Sequence, residues 1–562
     1  MFGLGESGEH TRECSDKDFF RQLKWSKEAP KQVAKAAKKG DLQKFVIAYR
    51  SLLEPAAARF RKHLTHKPLA IALSTDRPAN SLGALIDIEF SGAEQFGLGR
   101  AVRAWLSAQG TAPVAPLDHA IAMELLLDAP IDLEVETWCR LFRFALTTSP
   151  SDTVATDLLQ TLLFHPLKGA AKQQKLCVQK LSAGLLDETD TDGTPHARQM
   201  DGLDGWFVRY IVACWWGRAF RQDVLTESAS KRMKLLIRRR CELLRGDGSC
   251  AFSPGAVIHP DLNGLAFRIA GSSRKQRPEL ASNQSDWAEL ATLRSGHARD
   301  ADVLVCAFDR PEPRIELTCL GQPILSGRWE VQIRIGSRVV RPKAWTCSCW
   351  YADADGTYLE LTGDLPQGAV IERQLFLSSR KRFALLMDSV RSGGEAKIAY
   401  QASIPLATSV MSRADFVSRE WRLHSGSFST RVLPISLDFD RVQSTPGTCA
   451  VEDEALRLQT NGVSATNFSV MLDWHPKRSE LPAEWTRLTV TEARRAVDLQ
   501  SAAAYRVRIG SKHQIVTYKS LNGSRELRTV LGQHTGRDSF VGRLKRGGAF
   551  EPLVLVDFGD EQ

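Results

Sequence analysis

Apolar residues along this chain recur at two different periods, and the change between them happens once. Up to about residue 265 they are spaced three and four apart, as on one face of a helix; from about residue 288 they alternate with polar residues between short glycine-marked turns. The first pattern predicts helices over Lys31–Lys39, Leu42–Leu53, Leu117–Leu127, Leu133–Leu146, Asp152–Phe164, Ala170–Leu186, Leu203–Phe220 and Leu225–Leu244. Gly40-Asp41 reads as a helix stop followed by an N-cap. The second pattern predicts strands at Trp329–Ile335, Tyr358–Thr362, Val370–Leu377, Arg382–Asp388, Ser469–Asp473, His513–Tyr518, Arg528–Leu531 and Pro552–Phe558. Gly336-Ser337 suits a type II′ hairpin turn, and the similar wording Arg508-Ile509-Gly510-Ser511-Lys512 predicts a second hairpin like it. Helices and strands segregated this way argue for an α+β chain of separate domains rather than βαβ units. The expected organisation is a disordered tail at 1–15, a helical domain at 16–268, a breaker-rich linker at 269–287 and a β-sandwich at 288–562.

Size and charge sharpen this picture. A chain of 562 residues is too long for one core. Its 43% hydrophobic and 25% charged residues are those of an ordinary globular protein. A net charge of +10 favours an anionic partner, whether nucleic acid, membrane surface or acidic polysaccharide, without choosing among them. The 11 cysteines are odd in number and mostly sit in apolar segments, which suits buried thiols in a reducing compartment. Met1–Glu13 lacks the features of a signal peptide, and no apolar run has membrane-span length. The expectation is a cytoplasmic protein, with a secreted or periplasmic home left open should the start be truncated.

Few motifs carry chemistry. Gly3-Leu4-Gly5-Glu6-Ser7-Gly8 spells a dinucleotide loop, but no strand can precede it, so no cofactor is expected. No nucleophile elbow or Walker loop is present. Cys347-Ser348-Cys349 puts two thiols on one side of a strand without a second ligand pair, and the 12 histidines form no H-x-H or H-E-x-x-H pair. A metal site is thus neither indicated nor excluded. Lys231, Arg232, Lys234, Arg238, Arg239 and Arg240 form a cationic helix face, which suits either a polyanion or plain solvation. The richest segment runs from Asp192-Gly193-Thr194-Pro195-His196-Ala197-Arg198 to Trp206, Arg209 and Tyr210. There a glycine-containing loop delivers His196 and Arg198 just before a helix, and Trp206, Arg209 and Tyr210 share a helical face. Aromatic rings stack on sugars or bases, arginine binds carboxylate or phosphate, and His and Tyr exchange protons. The same residues equally suit a packed helix core with a capping loop.

Three stretches of wording, in this order, resemble the heparinase II/III-like polysaccharide lyases. Asp192-Gly193-Thr194-Pro195-His196 is similar to that family's "DG" loop. Leu243-Leu244-Arg245-Gly246-Asp247-Gly248-Ser249 resembles its last toroid helix and the loop after it. Glu372-Arg373-Gln374-Leu375 with Phe383-Ala384-Leu385-Leu386-Met387-Asp388 resembles its sandwich strands, and Leu290–Arg294 the strand that opens the sandwich. The resemblance implies an N-terminal incomplete (α/α) toroid followed by a C-terminal antiparallel β-sandwich. It also implies β-elimination on a uronate-containing acidic polysaccharide. The chain departs from the pattern where His196-Ala197-Arg198 stands in place of the family's continuation towards a Tyr-His pair. It departs again where Arg314-Ile315-Glu316-Leu317 lacks the sandwich histidine.

With that activity, Arg198 or Arg209 would neutralise the uronate carboxylate, His196 would act as base and Tyr210 as acid or base. Trp206 would be the stacking platform, and His297 would face the toroid from the sandwich. Two rivals stand beside this reading. One is a non-catalytic carbohydrate-binding protein on the same scaffold; the other is a nucleic-acid reader using the basic helix.

Overall fold

The computed structural model describes residues 14–62, 82, 98–108, 116–128, 133–148, 154–253, 260–271, 281–426, 428–445, 447–545 and 547–559. The tail expected at 1–15 lies almost wholly outside them, as does most of the expected linker. Two compact units emerge. One holds residues 1–193, 202–238 and 255–275; the other holds 194–201, 239–254 and 276–562. Two short segments of the helical half, 194–201 and 239–254, thus belong with the strands, which no periodicity announces.

Among the described residues, eleven helices fall between Asp16 and Ala270, and every strand starts at Asn283 or later. The helices agree closely with the apolar spacing. Leu203–Phe220 has the expected bounds, and Asp41 caps Leu42–Arg61 by accepting the Lys44 N–H at 3.1 Å, with Gly40 at φ 68° ending the helix before it. That helix runs eight residues past the expected Leu53, through Pro55. Its outer turns are held from elsewhere: the Arg59 Nε donates to the Ala219 carbonyl at 2.6 Å. Successive helices pack in pairs, Lys31–Lys39 on Leu42–Arg61 and Val154–Leu163 on Ala170–Asp187, an α/α toroid-type arrangement. Phe20, Phe45, Tyr49, Trp138 and Phe142 meet in its core, with centroids 4.5–6.2 Å apart where they touch, mostly edge-on or tilted as ring quadrupoles prefer.

The strand-bearing unit has more layers than a two-sheet sandwich. A five-stranded antiparallel meander (Asn283–Ser285, Leu290–Arg294, Val303–Ala307, Arg314–Cys319, Gln322–Arg328) packs on a large central sheet. A second five-stranded sheet, Ala483–Arg487 to Phe550–Val556, covers the other face of the central sheet's middle strands. A four-stranded sheet lies beyond that one. The strand Phe383–Arg391 shows the consequence. Phe383, Leu385 and Met387 enter one core, while Ala384, Leu386 and Val390 enter the other. A strand buried on both faces has no need of polar alternation, which is why Phe383–Met387 reads as a continuous apolar run.

Two expectations are corrected here. A β-bulge between Cys347 and Cys349 turns their side chains to opposite faces: Cys347 packs on the first core and Cys349 on the second. The repeated Gly-Ser wording also makes two different turns. Ile335 pairs with Arg338 across a two-residue loop, whereas Ile509 pairs with His513 across three residues. Both turns place glycine at positive φ, 59° at Gly336 and 58° at Gly510.

Candidate functional site

Residues 194–201 leave the "DG" turn as an irregular loop, and the first β-turn of the meander holds them. The Ala197 N–H donates to the Ala288 carbonyl at 2.7 Å, and the Asn283 side-chain amide donates to Thr194 Oγ1 at 2.8 Å. Arg314 fastens the far end of the loop, through the Ala197 carbonyl at 2.9 Å and an ion pair with Asp201. The stretch Arg314–Leu317 thus anchors this loop. Its second charged residue, Glu316, receives both Nε and Nη2 of Arg245 at 2.7 Å, fixing the loop after residue 243.

This anchoring brings His196 against the turn 286–289. The imidazole meets the Trp287 ring edge-on, with centroids 5.3 Å apart, and its Nε2 lies 3.8 Å from Glu289 Oε2. The Arg198 backbone N–H donates to His196 Nδ1 at 3.2 Å. A ring accepting at Nδ1 carries its proton, when neutral, at Nε2, facing the carboxylate. Glu289 occupies left-handed backbone at φ 52°, which is costly for a side chain of its size and turns it towards the loop. Burial raises its pKa, the nearby Asp309 carboxylate raises it further, and Arg198 opposes both. Trp287 is 47% exposed, an open aromatic face beside the pair.

The other candidates fall elsewhere. Tyr210 is buried in the helical core, and its hydroxyl donates to the Leu181 carbonyl at 3.2 Å. Burial pushes its pKa up, with the charge of Glu188 adding to the shift. Trp206 packs edge-on against Tyr210 at 5.0 Å, while Arg209 beside them is exposed. His297 is exposed on the turn after Leu290–Arg294, at the opposite end of that strand from Glu289. The structure thus joins His196 and Arg198 to Glu289 and Trp287, two residues that the sequence reading missed. Their only signal is an aromatic and an acid interrupting the approach to an apolar strand. The basic helix is not one continuous face. Arg240 is buried, Arg232 donates to the Thr189 carbonyl at 2.5 Å, and Lys231 pairs with Glu227 at 2.7 Å. Among the described residues no group of three or more His, Cys, Asp or Glu is arranged to hold a metal, and no helix is long and apolar enough to cross a membrane.

A toroid of paired helices followed by stacked antiparallel sheets is the fold of the heparinase-type polysaccharide lyases. The heparan sulfate lyase HepC from Pedobacter heparinus, in a mutant form, matches with a TM-score of 0.57 at 11% identity, over 90% of this chain and 99% of that one. A heparinase III crystal structure matches with a TM-score of 0.56 at 12% identity, over 89% and 99%. The heparinase III BT4657 gene product matches with a TM-score of 0.54 at 9% identity, over 93% and 91%. No protein-family model matches the chain, and no curated protein matches it by sequence.

Proposed function

We propose that the protein is a polysaccharide lyase that cleaves a uronate-containing acidic polysaccharide by β-elimination. The observation that carries this reading is the His196–Glu289 pair, flanked by the Arg198 cation and the open Trp287 ring. Elimination requires removal of the weakly acidic proton next to the uronate carboxylate. Arg198 neutralises that carboxylate so that charge can spread into it. Glu289 takes the proton, its Oε2 lying 3.8 Å from His196 Nε2. It then returns the proton to the departing glycosidic oxygen, which balances the reaction in a single group. Trp287 stacks on a sugar ring. This shifts the base from His196 to Glu289, because the imidazole's Nδ1 is already accepting the Arg198 amide. Tyr210 remains a test case, its proton directed to a backbone carbonyl.

The test is the ultraviolet absorbance of the unsaturated product on uronate polymers, with His196→Ala, Glu289→Gln and Tyr210→Phe. Product formation unaffected by the first two removes this assignment. A second reading, a carbohydrate-binding protein without catalysis, is favoured by the engaged proton of Tyr210. It predicts glycan affinity with no unsaturated product from any uronate polymer.

A further inference from the structure

At one edge of the second sandwich layer, a cavity of about 300 Å³ is lined by Lys381, Arg478, Lys512, His513, Arg543 and Lys545. It shares no residue with the His196–Glu289 site. Its floor is apolar, made by Met471, Val507 and Ile509, all nearly inaccessible to solvent. Five cations line it, and two carboxylates pair with three of them. Asp473 holds Arg478 at 2.6 Å, and Glu551 holds Arg543 and, at 3.1 Å, Lys545. Lys381 and Lys512 have no carboxylate within ion-pair reach among the described residues.

The local chain builds this arrangement deliberately. Gly510, at φ 58°, starts the three-residue turn that presents Lys512 and His513 at the rim. Arg478 donates to the Lys381 carbonyl at 2.5 Å, tying these two lining residues together. The surplus of positive charge is felt at His513. Burial lowers its pKa first, and Arg478, Lys381 and Lys512 lower it further, with Asp473 opposing. Small-ligand sites run from roughly 300 to 1,000 Å³, so the cavity holds a small unit rather than a polymer stretch. An apolar floor below a cationic rim fits the C–H face of a sugar ring whose sulfate or carboxylate points to the lysines.

We propose that this cavity is a second, non-catalytic binding site for one anionic sugar unit of an acidic glycan, gripped through Lys381 and Lys512. The proposal rests on the acidic-polysaccharide reading above, but not on catalysis. The site would hold a chain while another part of it is cleaved, raising the effective concentration of substrate.

The experiment uses the full chain with its histidine rings labelled for NMR, titrated with a heparin-derived hexasaccharide, maltohexaose, inorganic sulfate and a single-stranded RNA hexamer. The hexasaccharide is expected to shift the His513 ring signal and raise its pKa. Lys381→Gln with Lys512→Gln should weaken that binding by about tenfold or more, as expected when two charge-assisted contacts are lost. Neither lysine has a carboxylate partner that its loss would leave unpaired, so the double variant should keep the wild-type melting temperature, and its kcat on short substrates should be unchanged. Unchanged affinity in the double variant, sulfate binding as tight as the hexasaccharide, or preference for RNA would each overturn the proposal. A response at His513 without any unsaturated product would sink the lyase reading and leave this site standing. Product formation with His513 silent would do the reverse.

Discussion

Arg373 and Asp388 face each other directly across two paired strands, joined by two hydrogen bonds of 2.9 Å and shielded completely from solvent. The guanidinium also lies 3.7 Å from the Trp329 ring centre and 4.8 Å from that of Trp345, and Tyr400 donates to Asp388 at 2.6 Å. Every strong partner of the buried charge is thus itself ordered. Removing one member leaves the other charged and unpaired in a dry core, at a cost of about 3–5 kcal/mol. Asp388→Asn should therefore lower the denaturation midpoint sharply. Arg373→Met with Asp388→Leu should cost less than the two single changes summed, as read from urea unfolding. An additive double variant would show that the pair is not coupled.

The proton acceptor proposed for elimination must be ionised to work. Burial and Asp309 hold the Glu289 pKa above the ordinary glutamate value. The acid limb of the kcat/KM profile should accordingly lie above that value, with activity falling as pH drops through it. Asp309→Asn should move the limb to lower pH, because it removes a like charge. A limb that ignores Asp309→Asn would separate Glu289 from the rate.

Trp287 is the exposed ring of the site and makes no polar contact that the chemistry needs. Trp287→Ala should raise KM by roughly five- to tenfold, in line with the loss of an aromatic stacking contact, and leave kcat within about twofold. An equal loss in kcat would mean that the ring positions the pair rather than the sugar.

Lys519 is buried among Glu360, Glu372 and Asp538, at 3.4, 2.8 and 2.5 Å. One ammonium cannot neutralise three carboxylates, and burial raises the Asp538 pKa to about 6 despite the attraction of Lys519. A carboxyl whose folded pKa exceeds its unfolded value binds more protons when folded. Its contribution to stability is complete at low pH and is lost as pH rises through the folded value. Relative to Asp538→Asn, the wild type should therefore lose up to about 3 kcal/mol between about pH 4 and pH 7, at about 1.4 kcal/mol per pH unit. Glu360 has its pKa lowered and contributes in the opposite sense, so the comparison with the Asn variant, followed by denaturant titration across pH, isolates Asp538.

Gly193 sits at φ 89°, and a Cβ there would lie 2.5 Å from the backbone of Leu235 and Leu236. Neither the backbone angle nor the space admits a side chain. Gly193→Ala should destabilise the chain by about 2 kcal/mol or more, visible as a drop in melting temperature. It should also loosen the loop that follows.

The helices were legible because their apolar residues keep helical spacing over long stretches, as in Leu203–Phe220. Asp16–Gln22 was missed because seven residues hold too few turns to show a period. Phe383–Arg391 is buried on both faces and shows no strict alternation; its short apolar run Phe383–Met387 is what made it legible as a strand. Cys347 and Cys349 were misplaced because a bulge adds a residue that no sequence period reveals. The site was half legible. His196 and Arg198 follow a glycine turn that draws attention to them. Trp287 and Glu289 lie about 90 residues away and reach the site only through strand pairing and a left-handed backbone at a non-glycine position.

The strands Val370–Ser378, Phe383–Arg391 and Ala465–Asp473 are sealed on both sides, which confines change to the outer parts of the unit. A substitution in them disturbs two cores at once, whereas Glu289, on a turn of the meander, and Lys512, on a turn of the second five-stranded sheet, belong to neither core. Ligand preference can therefore drift at these outer loops while the stacked interior holds the architecture constant. A chain built in this way can keep its scaffold long after its wording has diverged.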